Sequence, residues 1–143
     1  MTPDALREAV CAEALRWLGT PYHHHQRLHG VGVDCINLLC AVYHQVQIVG
    51  FVELEHYSQR WHHHRNEEIF AQGLDKYLQR TLQPGLGDVV LFRFGRTYSH
   101  AGILLPGGEF IHAFARVKGR GQVMVSRMAE GWETRAPLYW SIT

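Results

Sequence analysis

The sequence predicts an α+β domain, with helices first, strands last, and the helices packed on one face of a meandering antiparallel sheet of about five strands. Three observations predict it. Up to residue 82 the apolar residues recur at helical spacing in three stretches. After Pro84-Gly85 the period shortens toward that of strands, and short glycine-bearing turns separate the runs. The length, 143 residues, suits one ordinary domain with a core of its own. With no internal repeat and no linker, residues 1–143 read as a single unit.

The first helix is expected over 3–18. Thr2 can cap it, Pro3 suits the first helical position, and Asp4 sits in the favoured acidic first turn. Leu6, Val10, Ala14, Trp17 and Leu18 form its inner stripe, and Gly19 and Pro21 end it. Residues 22–33 read as a polar, histidine-rich loop. The second helix is expected over 35–46, capped by Asp34. Its inner stripe is Cys35, Leu38, Leu39, Val42 and Val46. Residues 47–65 have no clean period, mix Phe51, Tyr57 and Trp61 with charge and histidine, and read as an extended loop over the surface, either reaching over the groove near Cys35 or with its aromatics serving only as anchors. A third helix is expected over 67–82, capped by Asn66, with Phe70, Leu74, Tyr77 and Leu78 facing inward. Strands are expected at 88–94, 99–105, 109–115, 122–127 and 136–142.

Composition excludes several functions. Hydrophobic residues make up 46% and charged residues 19%, which is globular rather than disordered. A net charge of +1 gives no reason to expect a nucleic-acid partner. The charge is uneven, with −3 over residues 1–92 and +4 over 93–143. The basic excess at Arg93, Arg96, Arg116, Lys118 and Arg120 fits a solvated hairpin or a rim that attracts carboxylates. Cys11, Cys35 and Cys40, odd in number and irregular in spacing, are no disulfide framework. The N-terminal residues lack a signal-peptide core and no apolar run reaches the length of a membrane span. The expectation is a chain made and kept reduced in the cytoplasm, unless it leaves as part of a larger assembly. The 11 histidines include two internal triplets, 23–25 and 62–64, but not the spaced pairs of a structural zinc site. No metal or cofactor is expected.

Gly30-Val31-Gly32-Val33-Asp34-Cys35 places a cysteine in the first turn of a helix. Backbone N–H groups and the positive end of the macrodipole favour a thiolate there. Cysteine is also a common core residue, so a buried structural thiol is the competing reading. A nucleophile needs a base and a group to orient it. Two histidines fall inside the strand region, His100 and His112. A three-residue loop, Pro106-Gly107-Gly108, pairs Leu105 with Glu109 and makes the two histidines diagonal neighbours on one face, roughly 7–8 Å apart at the backbone. A two-residue loop puts them on opposite faces. Gly108 can supply the left-handed residue that the longer loop wants, so the shared face is expected.

These residues reach a known family. Gly19-Thr20-Pro21-Tyr22, Gly32-Val33-Asp34-Cys35, Pro84-Gly85-Leu86-Gly87-Asp88-Val89-Val90-Leu91-Phe92, Ser99-His100-Ala101-Gly102-Ile103 and Phe110-Ile111-His112-Ala113 occur in order. Together they resemble the NlpC-type cysteine peptidases, papain-fold cell-wall endopeptidases of bacteria and their phages, over about residues 5–115. The compact chain and its Trp132–Trp140 tail look more like the phage-tail and gene-transfer-agent branch, which implies association with a virion or tail and with other tail proteins. The resemblance implies that Cys35 is the nucleophile, His100 the general base and His112 the group orienting it. Tyr22, Asp34 and Ser99 become candidates for oxyanion or substrate contact. The implied substrate is the peptide stem of peptidoglycan, commonly cut between D-glutamate and a diamino acid. One departure lies near the chemistry: Ile36 and Asn37 stand where the family usually has a small residue and then glycine. Asn37, at the third helical position, can reach back as a capping side chain. Two other readings stay open, a catalytically silent tail-tip docking protein and a thiol acyltransferase or amidase on the same fold.

Overall fold

The computed structural model of the chain describes residues 1–54, 68–115 and 121–143. Helix α1 spans Pro3–Leu15, and Thr2 Oγ1 accepts from the Ala5 N–H at 3.1 Å. A two-residue hairpin follows, β1 at Arg27–Leu28 and β2 at Gly32–Val33, and leads directly into helix α2, Cys35–Gln45. After α3, Ile69–Asp75, come the strands of the main sheet. These are β3 (Gln79–Thr81), β4 (Val89–Phe94), β5 (Thr97–Leu104), β6 (Glu109–Phe114), β7 (Gln122–Arg127) and β8 (Leu138–Ser141). The order across the sheet is β3-β8-β4-β5-β6-β7, and every described pairing is antiparallel.

The two sheet faces carry different chemistry, because side chains alternate along each strand. Val89, Leu91, Ala101, Ile103, Ile111 and Ala113 point toward the helices and meet Val10 of α1 and Leu38 and Val42 of α2 in the main core. Each fully buried Leu, Ile or Val there contributes about 1.5–3 kcal/mol. Val90, Phe92 and Phe110 point the other way, under Phe94, Tyr139 and Trp132 of a short 3₁₀ turn, Trp132–Arg135. Buried Asp88 ties the N-terminus of α1 to the sheet. It accepts from Arg7 at 2.7 Å, from the Gly85 N–H at 2.8 Å and from the Ile142 N–H at 3.0 Å. Three donors offset the cost of burying that carboxylate.

The structure revises three expected elements. Helix α1 ends three residues early, so Leu18 is exposed rather than part of the inner stripe. The third helix is half its expected length, and its expected cap, Asn66, lies outside the described residues. Phe70 and Leu74 are buried as expected, but Tyr77 is exposed. At the last residue of the helix the Asp75 carboxylate reaches out toward the sheet. It accepts from Trp140 Nε1 of β8 at 2.8 Å and from Arg80 at 3.1 Å, and the Arg80 guanidinium lies 4.9 Å over the Trp140 ring. These contacts draw residues 79–81 onto β8 as an edge strand, which makes a sheet of six strands rather than five. Of the expected 47–65 loop only 47–54 lie within the described residues, as do neither Arg116, Lys118 and Arg120 nor the 62–64 histidine triplet.

Candidate active site

The loop–helix junction at Asp34 places Cys35. Asp34 has extended backbone, as a capping residue requires, and its Oδ1 accepts from the Asn37 N–H at 2.9 Å. Asn37 also reaches back, its Nδ2 donating to the same oxygen at 3.0 Å, and its Oδ1 accepts from Arg27 Nε at 2.8 Å. The other Asp34 oxygen accepts from the His25 N–H at 2.6 Å. Both carboxylate oxygens are thus engaged by N–H groups of this chain, and the buried Asp34 clasps the 22–33 loop to the helix start. Bridges from Val33 to Tyr22 and from Gln122 to Pro21 set Tyr22 beside the same junction, half-buried.

The sheet supplies the histidines. Leu105 donates to the Glu109 carbonyl at 2.9 Å around the turn Pro106–Gly108, and Ile103 pairs with Ile111, which is the register of the three-residue loop. Gly107 and Gly108 both take positive φ, 75° and 74°. His100 and His112 therefore share a face, and His100 Nε2 lies 2.7 Å from His112 Nδ1. His112 Nε2 lies 2.8 Å from Ser126 Oγ of β7. A side chain at position 102 would crowd Phe110 and Ile111 of β6, next to this pair. A Cβ there meets Phe110 Cδ2 at 2.9 Å and the Ile111 carbonyl at 3.1 Å.

This face is the one turned away from α2, so the thiol does not approach the imidazoles across the core. It comes to the open edge of β5. The β5–β6 ladder ends at Ile103, and Ala101, which by strand alternation points its N–H toward β6, has no β6 partner there. Cys35 Sγ takes that place. It faces the Ala101 N–H, and its thiol donates toward the Ser99 carbonyl at 4.0 Å, next to a bulge in β5. The backbone on either side of His100 thus holds the sulfur. Among the described residues, no hydrogen bond links Sγ to the imidazole, and Nδ1 of His100 has no hydrogen-bond partner.

Burial dominates the electrostatics. The Cys35 thiol is pushed up to about 12, first by desolvation and then by the neighbouring Asp34 carboxylate, while the N–H groups of Ala101, Ile36 and Cys35 pull the other way. This reverses the thiolate expected from the helix dipole. The carboxylate that caps the helix also sets a negative charge beside the sulfur. Desolvation lowers His100 to about 3. Its ring sits among Phe92, Phe94, Phe114 and Trp132, with centroids 5.2–6.2 Å away. The resting pair is a neutral thiol and a neutral imidazole. Burial, Cys35 and Asp34 raise the Tyr22 hydroxyl, in that order, which keeps it an O–H donor.

One consequence is acid lability. His100 binds a proton near pH 6.5 when unfolded but only near 3 when folded. Between those values the unfolded state holds more protons, so this stabilisation is fully present above pH 6.5 and fades as pH falls toward 3. The urea midpoint is expected to drop on going from pH 7 to pH 4, with about 3 kcal/mol lost through this group. His100→Gln is expected to flatten that part of the profile.

Sequence reasoning brought Cys35, His100 and His112 to one neighbourhood and missed Ser126 and Trp132. Ser126 was within reach of the same register argument: once Glu109 pairs with Arg127, Ser126 falls diagonal to His112 on its face. Trp132 carries no such signal, because it enters through an irregular 3₁₀ turn. Among the described residues, no group of three or more His, Cys, Asp or Glu could hold a metal ion, and no helix is long and apolar enough to cross a membrane.

Fold and site define a class: an α+β domain with a helix-start cysteine seated on a histidine-bearing antiparallel sheet. The chain belongs to the NlpC/P60 family, whose sequence model matches residues 19–139. The fold is similar to the NlpC/p60 domain of the peptidoglycan hydrolase SagA, with TM-score 0.62 and 23% identity, covering 94% of this chain and 97% of that one. It is similar to the peptidoglycan hydrolase RipB of Mycobacterium tuberculosis, with TM-score 0.63 and 18% identity, covering 98% of this chain and 66% of that one. RipD of the same organism, described as a non-catalytic NlpC/p60 protein adapted to peptidoglycan binding, matches with TM-score 0.58 and 17% identity, covering 96% and 98%. Other matched structures are longer, and the chain spans 37–42% of them. No curated protein matches the chain.

Proposed function

We propose that this protein is a cysteine peptidase that hydrolyses peptide stems of peptidoglycan, with Cys35 as nucleophile, His100 as general base and His112 orienting His100. The observation that carries the reading is the seating of Cys35 Sγ on the backbone at Ser99 and Ala101, either side of a His100 already bonded to His112. A neutral pair of this kind works by proton transfer during attack rather than through a standing thiolate. Cys35 Sγ forms the bond to the scissile carbonyl carbon as its proton passes to His100 Nδ1. The N–H groups of Cys35 and Ile36 and the Tyr22 hydroxyl stabilise the oxyanion. His100 returns the proton to the leaving amine, and the C–N bond breaks. Water, losing a proton to His100, then splits the thioester. Asp34 acts by holding the loop and helix start together, and the Ser99 carbonyl by holding the thiol.

The bond we propose is that between D-glutamate and the diamino acid, and the setting a phage tail or tail-like particle. The family's substrate class supports the bond, and the resemblance of the Trp132–Trp140 tail to the phage-tail branch supports the setting. The depth of the thiol favours one alternative, a silent domain that binds peptidoglycan without cutting it. Digestion of purified muropeptides, followed by mass spectrometry, tests the proposal. The expected product is a fragment carrying a new free amino group on the diamino acid, in the same amount with or without an added amine. Amine adducts indicate an acyltransferase, and intact muropeptides retained by the protein indicate the silent domain.

A further inference from the structure

We propose that Ser126 is a positioning residue of this site: by accepting a hydrogen bond from His112 Nε2–H it fixes the tautomers of both histidines and leaves the His100 Nδ1 lone pair free to take the thiol's proton. This rests on the hydrolase reading above. A neutral imidazole has one N–H and one lone pair. The run His100 Nε2, His112 Nδ1, His112 Nε2, Ser126 Oγ, with contacts of 2.7 and 2.8 Å, therefore has two self-consistent proton arrangements. If Ser126 accepts, His112 carries its proton on Nε2, His100 donates from Nε2, and His100 Nδ1 is a base. If Ser126 donates, every bond reverses and His100 Nδ1 carries a proton, which leaves it unable to accept another.

The surroundings select the first arrangement. Ser126 is only half-buried, so its hydroxyl proton can turn to solvent while a lone pair faces His112. The reverse arrangement turns the Ser126 hydroxyl proton inward to His112, away from solvent, and puts the His100 proton on Nδ1, on a ring flanked by Phe92, Phe94, Phe114 and Trp132. Position also favours a dedicated role: Ser126 pairs with Phe110 and sits diagonal to His112 on the face of the sheet that holds both histidines.

Nitrogen-15 NMR of histidine-labelled protein, with muropeptide kinetics on the same samples, tests this. Wild type is expected to show both rings as Nε2–H tautomers. Ser126→Ala is expected to mix the tautomers and to lower kcat about tenfold, the weight of one net hydrogen bond, with KM unchanged. Ser126→Thr, which keeps the hydroxyl, is expected to restore both. Wild-type tautomers and kcat in Ser126→Ala would overturn the assignment, as would an Nδ1–H tautomer of His112 in wild type. A fall in kcat without tautomer change, not rescued by threonine, overturns it as well, since that is the mark of a packing role. Wild-type protein with the assigned tautomers and no turnover keeps the Ser126 assignment and overturns the hydrolase reading instead.

Discussion

Replacing Cys35 with alanine is expected to abolish muropeptide cleavage, by a factor on the order of 10⁴ or more, in a protein that still folds. No other described group can form the acyl intermediate at this place. The substitution removes one buried sulfur and costs about 1 kcal/mol of stability. It spares the helix start, whose cap runs through Asp34, Asn37 and backbone N–H groups rather than through sulfur. The other two cysteines give the control. Cys11 on α1 contacts the Leu104 carbonyl at 3.6 Å, and Cys40 lies further along α2. Cys11→Ala and Cys40→Ala are expected to keep activity within a few-fold, on the usual scale for small substitutions outside a catalytic set. Turnover and urea midpoints of the three variants check this together.

His100→Ala is expected to lower kcat/KM at pH 7 by about 10²–10⁴, the usual weight of a general base, and to change the shape of the pH profile. In wild type the ionisations that bound the free-enzyme profile lie near 3 for His100 and near 12 for Cys35. Rate should therefore be flat from about pH 5 to pH 9, because neither group changes its charge there. Without His100 the thiol must ionise unaided, so the rate should follow the thiolate fraction and rise about tenfold per pH unit over the same range. A structural histidine predicts a different result, with loss of stability and an unchanged profile. Stopped assays at five or six pH values separate the two.

How much of this was legible in the sequence varied with how local the cause was. The cap at Asp34, the turn at Pro106–Gly108 and the shared face of His100 and His112 follow from neighbours a few residues apart, and the structure has all three. β7 has the boundaries the alternation implied. The length of α3 was not legible, because the residues after it pair with β8 and its last residue bonds Trp140, 65 positions away. Nor was the charge state of Cys35. The helix dipole is a local property and argues for a thiolate. The burial that defeats it comes from packing against β5, 64 positions away, which no local pattern announces. The same packing brings the thiol to the sheet edge rather than onto the histidine face. Trp132, which closes the aromatic box over both imidazoles, was hidden for a similar reason: nothing periodic marks a four-residue 3₁₀ turn.

In the proposed reaction Cys35 carries the acyl group. Protein mixed with a muropeptide substrate, quenched in acid within the first turnovers and digested for mass spectrometry, tests it most directly. The peptide containing Cys35 is expected to gain the mass of the stem fragment ending at the cleaved carbonyl, and the adduct is expected to vanish in Cys35→Ala. Steady release of product with Cys35 unmodified, or in the alanine variant, would contradict it.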